Sequence, residues 1–209
     1  MPNRAARAVF DAWEALFHRA LHLEELEPGT EHLFFVTRRR YLGRPFEVDG
    51  IAVRPGDPVV EMHMNNALIE RALREDANVV RAIVRLLRQA RVSMPALARV
   101  VQQEKFHDAH VLYGITMIHR GIEHFGFHTY PLRNPLVRAV TSWHLTNILK
   151  MVNPDADHIL QTHRDVLQPK LVVASKQKII EMFGEGHLAG REAEMSSAQG
   201  RGEAVSLDS

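Results

Sequence analysis

The sequence predicts a single α+β domain over residues 5–184, mixed α/β in its second half, followed by a polar tail over 185–209. Three observations carry that prediction. An amphipathic helical pattern opens the chain. A run of short strand-like segments separated by Gly, Pro and Asp turns follows, reading as a small antiparallel β meander. From Ala67 onward, helical periods alternate with further short apolar strands that read as one sheet.

The elements follow in order. Between Ala5 and Leu26, Val9, Phe10, Trp13, Leu16, Phe17 and Leu21 recur at spacings of three and four, and Pro28-Gly29 ends the helix. His32 to Val36 is strand-like and Arg38-Arg39-Arg40 extends it. Phe46–Val48 and Ile51–Val53 flank Asp49-Gly50, a tight-turn pair, and Pro55-Gly56-Asp57-Pro58 makes the next turn. The stretch VVEMHMNN, Val59 to Asn66, then alternates with period two. It places Val60, Met62 and Met64 on one face and Glu61, His63 and Asn65 on the other.

Asn65 or Asn66 can cap a helix starting at Ala67, with a break near Asp76–Asn78. Ser93, with Pro95 behind it, reads as the cap of a further helix reaching Phe106. Val111–Ile118 is a buried-strand candidate, His119–Phe125 a short helical segment, and Phe127–Leu132 a strand. Asn134-Pro135 opens a helix to Asn153-Pro154. Leu171–Ala174 is a strand, and Ser175 caps a last helix, Lys176–Phe183, ending at Gly184. Beyond Gly186 the chain is small and polar and is expected to be disordered.

Composition narrows the function classes. Twenty-six basic residues against 25 acidic ones leave a net charge of +1, so no global signal of a nucleic-acid binder exists. The chain has no cysteine, which excludes disulfides, thiol nucleophiles and thiolate-ligated metals and fits a cytoplasmic protein. Charges at Arg4, Arg7, Asp11, Glu14 and Arg19 interrupt any signal-peptide core, and no window is apolar enough to span a membrane.

The polar side of the alternating strand is the main chemical candidate. Neighbours on that face stand about 6.6–7 Å apart. Glu61 and His63 together suit acid–base work, the carboxylate orienting the imidazole or acting as a base. A solvated strand face and a helix cap at Asn65 explain the same letters without function. The 13 histidines invite a metal reading, with His107, His110, His119, His124 and His128 in one stretch. No HExxH occurs, and no cofactor is expected. The metal alternative is a divalent ion held by Glu61, His63 and His119. His163-Arg164-Asp165 and Ser175–Lys178 mimic kinase and β-lactamase signatures but lack every partner motif. Arg81, Arg85 and Arg88 form one helical stripe, suited to an acidic partner or simply to water.

Several pieces taken in order resemble a bacterial family, the YkoP-like domain. They are Tyr41-x-Gly43-Arg44-Pro45, Asp49-Gly50, Gly56-Asp57 and Glu61-x-His63-x-Asn65-Asn66, then Tyr113-Gly114-Ile115-Thr116, His119-Arg120-Gly121, Gly126-Phe127 and Met182-Phe183-Gly184. The likeness runs from Trp13 to Gly184. Such domains occur alone or appended to polysaccharide deacetylase domains, whose own catalytic motifs this chain lacks. The resemblance implies a role in cell-envelope polysaccharide or lipid metabolism and marks Asp57, Glu61, His63, Asn65 and His119 as recurring positions. It yields two expectations. One is an enzyme with Glu61 and His63 as an acid–base pair, acting on a glycan or lipid-linked substrate held by Asp57, Asn65, His119 and Arg120. The other is a non-catalytic binding module that accompanies envelope polysaccharide-modifying enzymes. The tryptophans, Trp13 and Trp143, both fall in amphipathic helices, which argues against glycan stacking.

Overall fold

The computed structural model describes residues 22–76, 79–133 and 168–186, with scattered helical positions from 135 to 161. Eight strands and three helices are assigned among the described residues. The strands are β1 Glu24–Glu25, β2 Phe34–Arg40, β3 Phe46–Val48, β4 Ile51–Val53, β5 Pro58–Met64, β6 Val111–Thr116, β7 His128–Pro131 and β8 Lys170–Ser175. The helices are α1 Asn66–Glu75, α2 Val79–Val100 and α3 Lys176–Phe183. The fold is therefore α+β, as the sequence predicts. No described helix is long and apolar enough to cross a membrane.

Six strands form one mixed sheet in the order β1-β2-β5-β6-β8-β7. Every pairing is antiparallel except β5 with β6, whose connection runs through α1 and α2. A parallel pair needs such a long crossover, and two helices supply it. The close approach of β6 to β5 requires glycine at 114, because a Cβ there would lie 2.9 Å from the Met62 carbonyl oxygen.

The sheet has two differently covered faces. One row, Val36, Val60, Met62, Leu112 and Ala174, packs against Leu86, Met94 and Leu97 of α2 and Ile179 of α3. The opposite row, Val59, Val111 and Val173, packs against Val48 and Val53 of the β3–β4 hairpin and against Tyr41. Burial of such side chains stabilises by about 1.5–3 kcal/mol each.

The hairpin turn is Asp49-Gly50, with φ of 49° and 77°, the two left-handed residues that a tight primed turn demands. Asp49 also fastens the hairpin to the sheet. One of its oxygens accepts from the Ser175 amide at 3.0 Å, and the other lies 2.9 Å from His128 Nε2. Tyr130 adds a third tie by donating to the Glu47 carbonyl at 2.7 Å.

Four sequence expectations are corrected. The first helix does not reach Leu26: His22 takes a left-handed φ of 52° and Glu24–Glu25 pairs with β2. The meander is not a single sheet, because β2 pairs directly with β5 and the β3–β4 hairpin leaves to cover one face. Ser93 does not start a new helix. Its hydroxyl donates to the Gln89 carbonyl and accepts from the Leu33 amide at 2.9 Å, so α2 runs through it and through Pro95. A tertiary partner on the chain before β2 thus takes up the cap-forming oxygen. The short helical segment after β6 narrows to a single 3₁₀ turn over Ile122–Phe125.

Other expectations hold. Asn65 caps α1 and Ser175 caps α3 through side-chain oxygens. The described positions from Pro135 to Lys150 are helical. The body of the expected N-terminal helix, much of the helix after Asn134-Pro135 and the tail beyond Gly186 lie outside the described residues.

Candidate functional site

Strand β5 carries Glu61 and His63 on the face that the hairpin covers farther along, at Val59. The hairpin does not extend over them, and each keeps about a quarter of its side-chain surface exposed, 24% and 21%. His63 Nε2 lies 3.2 Å from Glu61 Oε1. Two neighbouring strands complete the group. Arg39 of β2 places its Nε 3.7 Å from Glu61 Oε2, and Tyr113 of β6, register partner of Glu61, donates its hydroxyl to the carboxylate. Tyr113 is itself held edge-on by Tyr41, ring centroids 5.6 Å apart.

The electrostatics of this group run in opposite directions. Burial alone would raise the Glu61 pKa. The His63 hydrogen bond and charge, the Tyr113 hydroxyl and Arg39 outweigh burial and hold it below the ordinary value of 4.5. Burial and then the Glu61 charge push the Tyr113 phenol well above its ordinary value of 10. Glu61 is therefore an ionised acceptor at neutral pH and Tyr113 a retained donor.

The other sequence candidates take different places. The Asn65 oxygen accepts from the Ala67 and Leu68 amides, and its amide donates to the His32 carbonyl. Asp57 closes the turn before β5, accepting from the Arg54 amide at 2.7 Å. His119 is buried in the loop after β6, and the charges that act on it are Lys170, Arg120 and Glu123, not Glu61 or His63. Arg120 beside it is exposed. Among the described residues, no three His, Asp or Glu side chains converge as a metal-holding group. His107, His128 and His32 instead contact the Glu104 carbonyl, Asp49 and Glu27. The basic stripe on α2 is exposed, with Arg85 paired to Glu75 and Asp76.

Arg39 and Tyr113 were missing from the sequence-derived candidates. The available signal was Tyr113, a phenol in the mostly apolar run VLYGITMI and part of the family pattern. A buried phenol needs a hydrogen-bond partner.

Behind the sheet lies a cavity of about 50 Å³. Met62, Met64, Gly114 and Val172 form its sheet side, Leu86, Ala90 and Met94 its α2 side, and Ile118 and Ile122 its loop side. Its lining also takes in His63 and Ile115, whose side chains alternate to the opposite face, at the carboxyl-terminal ends of the parallel strands β5 and β6. Carboxyl ends of parallel strands are the usual place for a ligand crevice.

A family model described as the YkoP domain matches residues 3–183. The chain is similar to the uncharacterized protein YkoP of Bacillus subtilis (strain 168), 27% identical over 118 residues, which is 56% of this chain and 64% of that relative. The aligned part thus spans less than two thirds of the relative's length. No solved structure matches. With the family model covering nearly the whole described fold, the chain belongs to the YkoP domain family.

Proposed function

We propose that Glu61 and His63 form the acid–base pair of an enzyme acting on an envelope polysaccharide or an envelope lipid. His63 is the proton-exchanging group, and Glu61 is the fixed carboxylate that orients it and balances its charge. The observation that supports this most is the pair itself: His63 Nε2 lies 3.2 Å from Glu61 Oε1, and both side chains keep part of their surface open where the hairpin stops. The opposed shifts of Glu61 and Tyr113 add to it, since titratable groups pushed apart by their surroundings gather at reactive sites. The apolar cavity on the other face of the same strand ends favours the lipid side of this reading. The envelope setting rests on the family's association with deacetylase domains, which is an argument by association.

A second reading, a non-catalytic binding module, is favoured by the saturation of Glu61. With Arg39, His63 and Tyr113 around it, the carboxylate also serves as a rigid rung across three strands.

The test is hydrolysis of p-nitrophenyl esters of short fatty acids and of N-acetylated glycan oligomers by wild type, Glu61→Gln and His63→Ala. The enzyme reading expects turnover on at least one substrate, reduced about 10²–10⁴-fold in His63→Ala and less in Glu61→Gln. Equal turnover in all three proteins removes the catalytic role from the pair.

A further inference from the structure

His119 is 6% exposed, and its Nε2 is buried with no hydrogen-bond partner among the described residues. Buried polar atoms are nearly always paired, so an exception calls for an explanation. The surroundings of His119 suggest one. It follows Ile118 and precedes Ile122, both of which line the cavity. Arg120 is adjacent in sequence. Lys170 stands opposite Thr116 in the β6–β8 register and two residues before Val172. Thr116 and Val172 both line the cavity, and alternate residues of a strand share a face, so Lys170 extends the same row beyond the cavity wall. His119, Arg120 and Lys170 thus flank the residues that line this end of the cavity, and Lys170 and Arg120 both act on the His119 charge.

The interior has the opposite character. Its lining is almost wholly apolar, and the Thr116 hydroxyl is already engaged by the Met64 sulfur at 3.2 Å and the Ile118 amide at 3.0 Å. Water in such a space would lack partners. At about 10–15 Å³ for each water-sized occupant, the volume has room for roughly four chain atoms. Met62, Met64 and Met94 in the wall can shift to admit more, because methionine side chains are unbranched and adaptable.

We propose that the cavity and its rim bind an aliphatic carboxylate with a short unbranched tail, the tail inside and the carboxylate between Lys170 and a His119 imidazole carrying its proton on Nε2, with Arg120 beside them. The match is chemical. The apolar wall takes methylene groups, and the rim supplies the donors that a carboxylate needs. A carboxylate also supplies the partner that His119 Nε2 lacks. The charges around His119 agree with this: burial, then Lys170 and Arg120, depress its pKa, with Glu123 opposing, and an incoming anion offsets the two cations. The ligand class deepens the lipid side of the reading given above, yet binding here does not require His63 to transfer a proton.

The experiment follows the methionine methyl signals of the full chain by NMR during titration with hexanoate, 1-hexanol and acetate. Hexanoate is expected to shift the Met62, Met64 and Met94 methyls saturably and acetate to leave them unmoved. Hexanol should bind about tenfold more weakly for want of charge-assisted hydrogen bonds. Lys170→Gln combined with His119→Gln should bring hexanoate down to the level of hexanol. Ala90→Leu should block both ligands by filling the cavity, and the milder Ala90→Val should weaken both several-fold if the leucine does not fold. Glu61→Gln should bind hexanoate as wild type does, so a dead dyad and an empty cavity give different results. No saturable shift with hexanoate overturns the proposal. So does an unchanged preference over hexanol in the double variant, or unchanged binding in a folded Ala90 variant.

Discussion

The two faces of the central sheet are built on different principles. The face under α2 and α3 is apolar from Val36 through Leu112 to Ala174. The face under the β3–β4 hairpin is apolar only where the hairpin lies, at Val59, Val111 and Val173. Beyond it, the same strands carry Glu61, His63, Arg39 and Tyr113 in mutual contact. Where the helical layer lies over the sheet it leaves no place for charge, and Arg38 and Lys170 fall on that face only past the covered row. A short hairpin covers half a face and leaves the other half for polar groups that pair with one another. The first face carries the larger apolar core, and the second gathers the paired polar side chains.

The largest test of that division is Leu112→Ala, which deletes a fully buried side chain under the helices. The expected cost is about 2–5 kcal/mol in urea unfolding, with little change in the Tyr113 titration. A cost below about 1 kcal/mol would break the claim that this face carries the larger core.

Next comes Asp49→Ala, which cuts the hairpin's tie to Ser175 and His128 and puts alanine at a left-handed position. About 2–3 kcal/mol should be lost, from the unsatisfied Ser175 amide and the backbone strain. Asp49→Asn, which tolerates that φ, should lose less. Equal losses in the two variants would mean that the turn and not the tie secures the hairpin.

The smallest effect is electrostatic and sharpens the contrast most. The folded-state pKa of Glu61 lies below 4.5, so its contribution to stability is present above that pH and fades as the pH falls through the lower folded value. Unfolding of wild type and Glu61→Gln should therefore converge on acidification below pH 4.5. In the same variant the Tyr113 phenol, followed by ultraviolet absorbance, should titrate lower than in wild type yet still above 10, because burial remains its main perturbation. An unmoved Tyr113 titration would separate the phenol from Glu61.

Much of this was legible in the sequence. The period of two in VVEMHMNN predicts β5 and the shared face of Glu61 and His63, since strand geometry projects alternate residues to one side. Asp49-Gly50 predicts its turn, because few residues tolerate two consecutive left-handed conformations. Ser93 was misread for a physical reason. A serine before a proline-containing helical run looks like a cap, and only the Leu33 amide, sixty residues away, shows what its oxygen serves. Asn65 reads from sequence both as a cap and as a neighbour of the pair, and its hydrogen bonds to the Ala67 and Leu68 amides show the cap.

What the sequence by itself determined is local: strand alternation, turn chemistry, helix caps and the fold class that these imply. They are set by residues within a few positions of one another. Tertiary structure alone decided which strands stand beside β5. Arg39 reaches Glu61 from β2, and Tyr113 reaches it from β6 across a parallel pairing that two intervening helices make possible. The cavity behind His63 has the same origin, because its wall gathers two parallel strand ends, a helix and a loop. Pairing between distant segments depends on the summed burial of both sheet faces, which no local pattern contains.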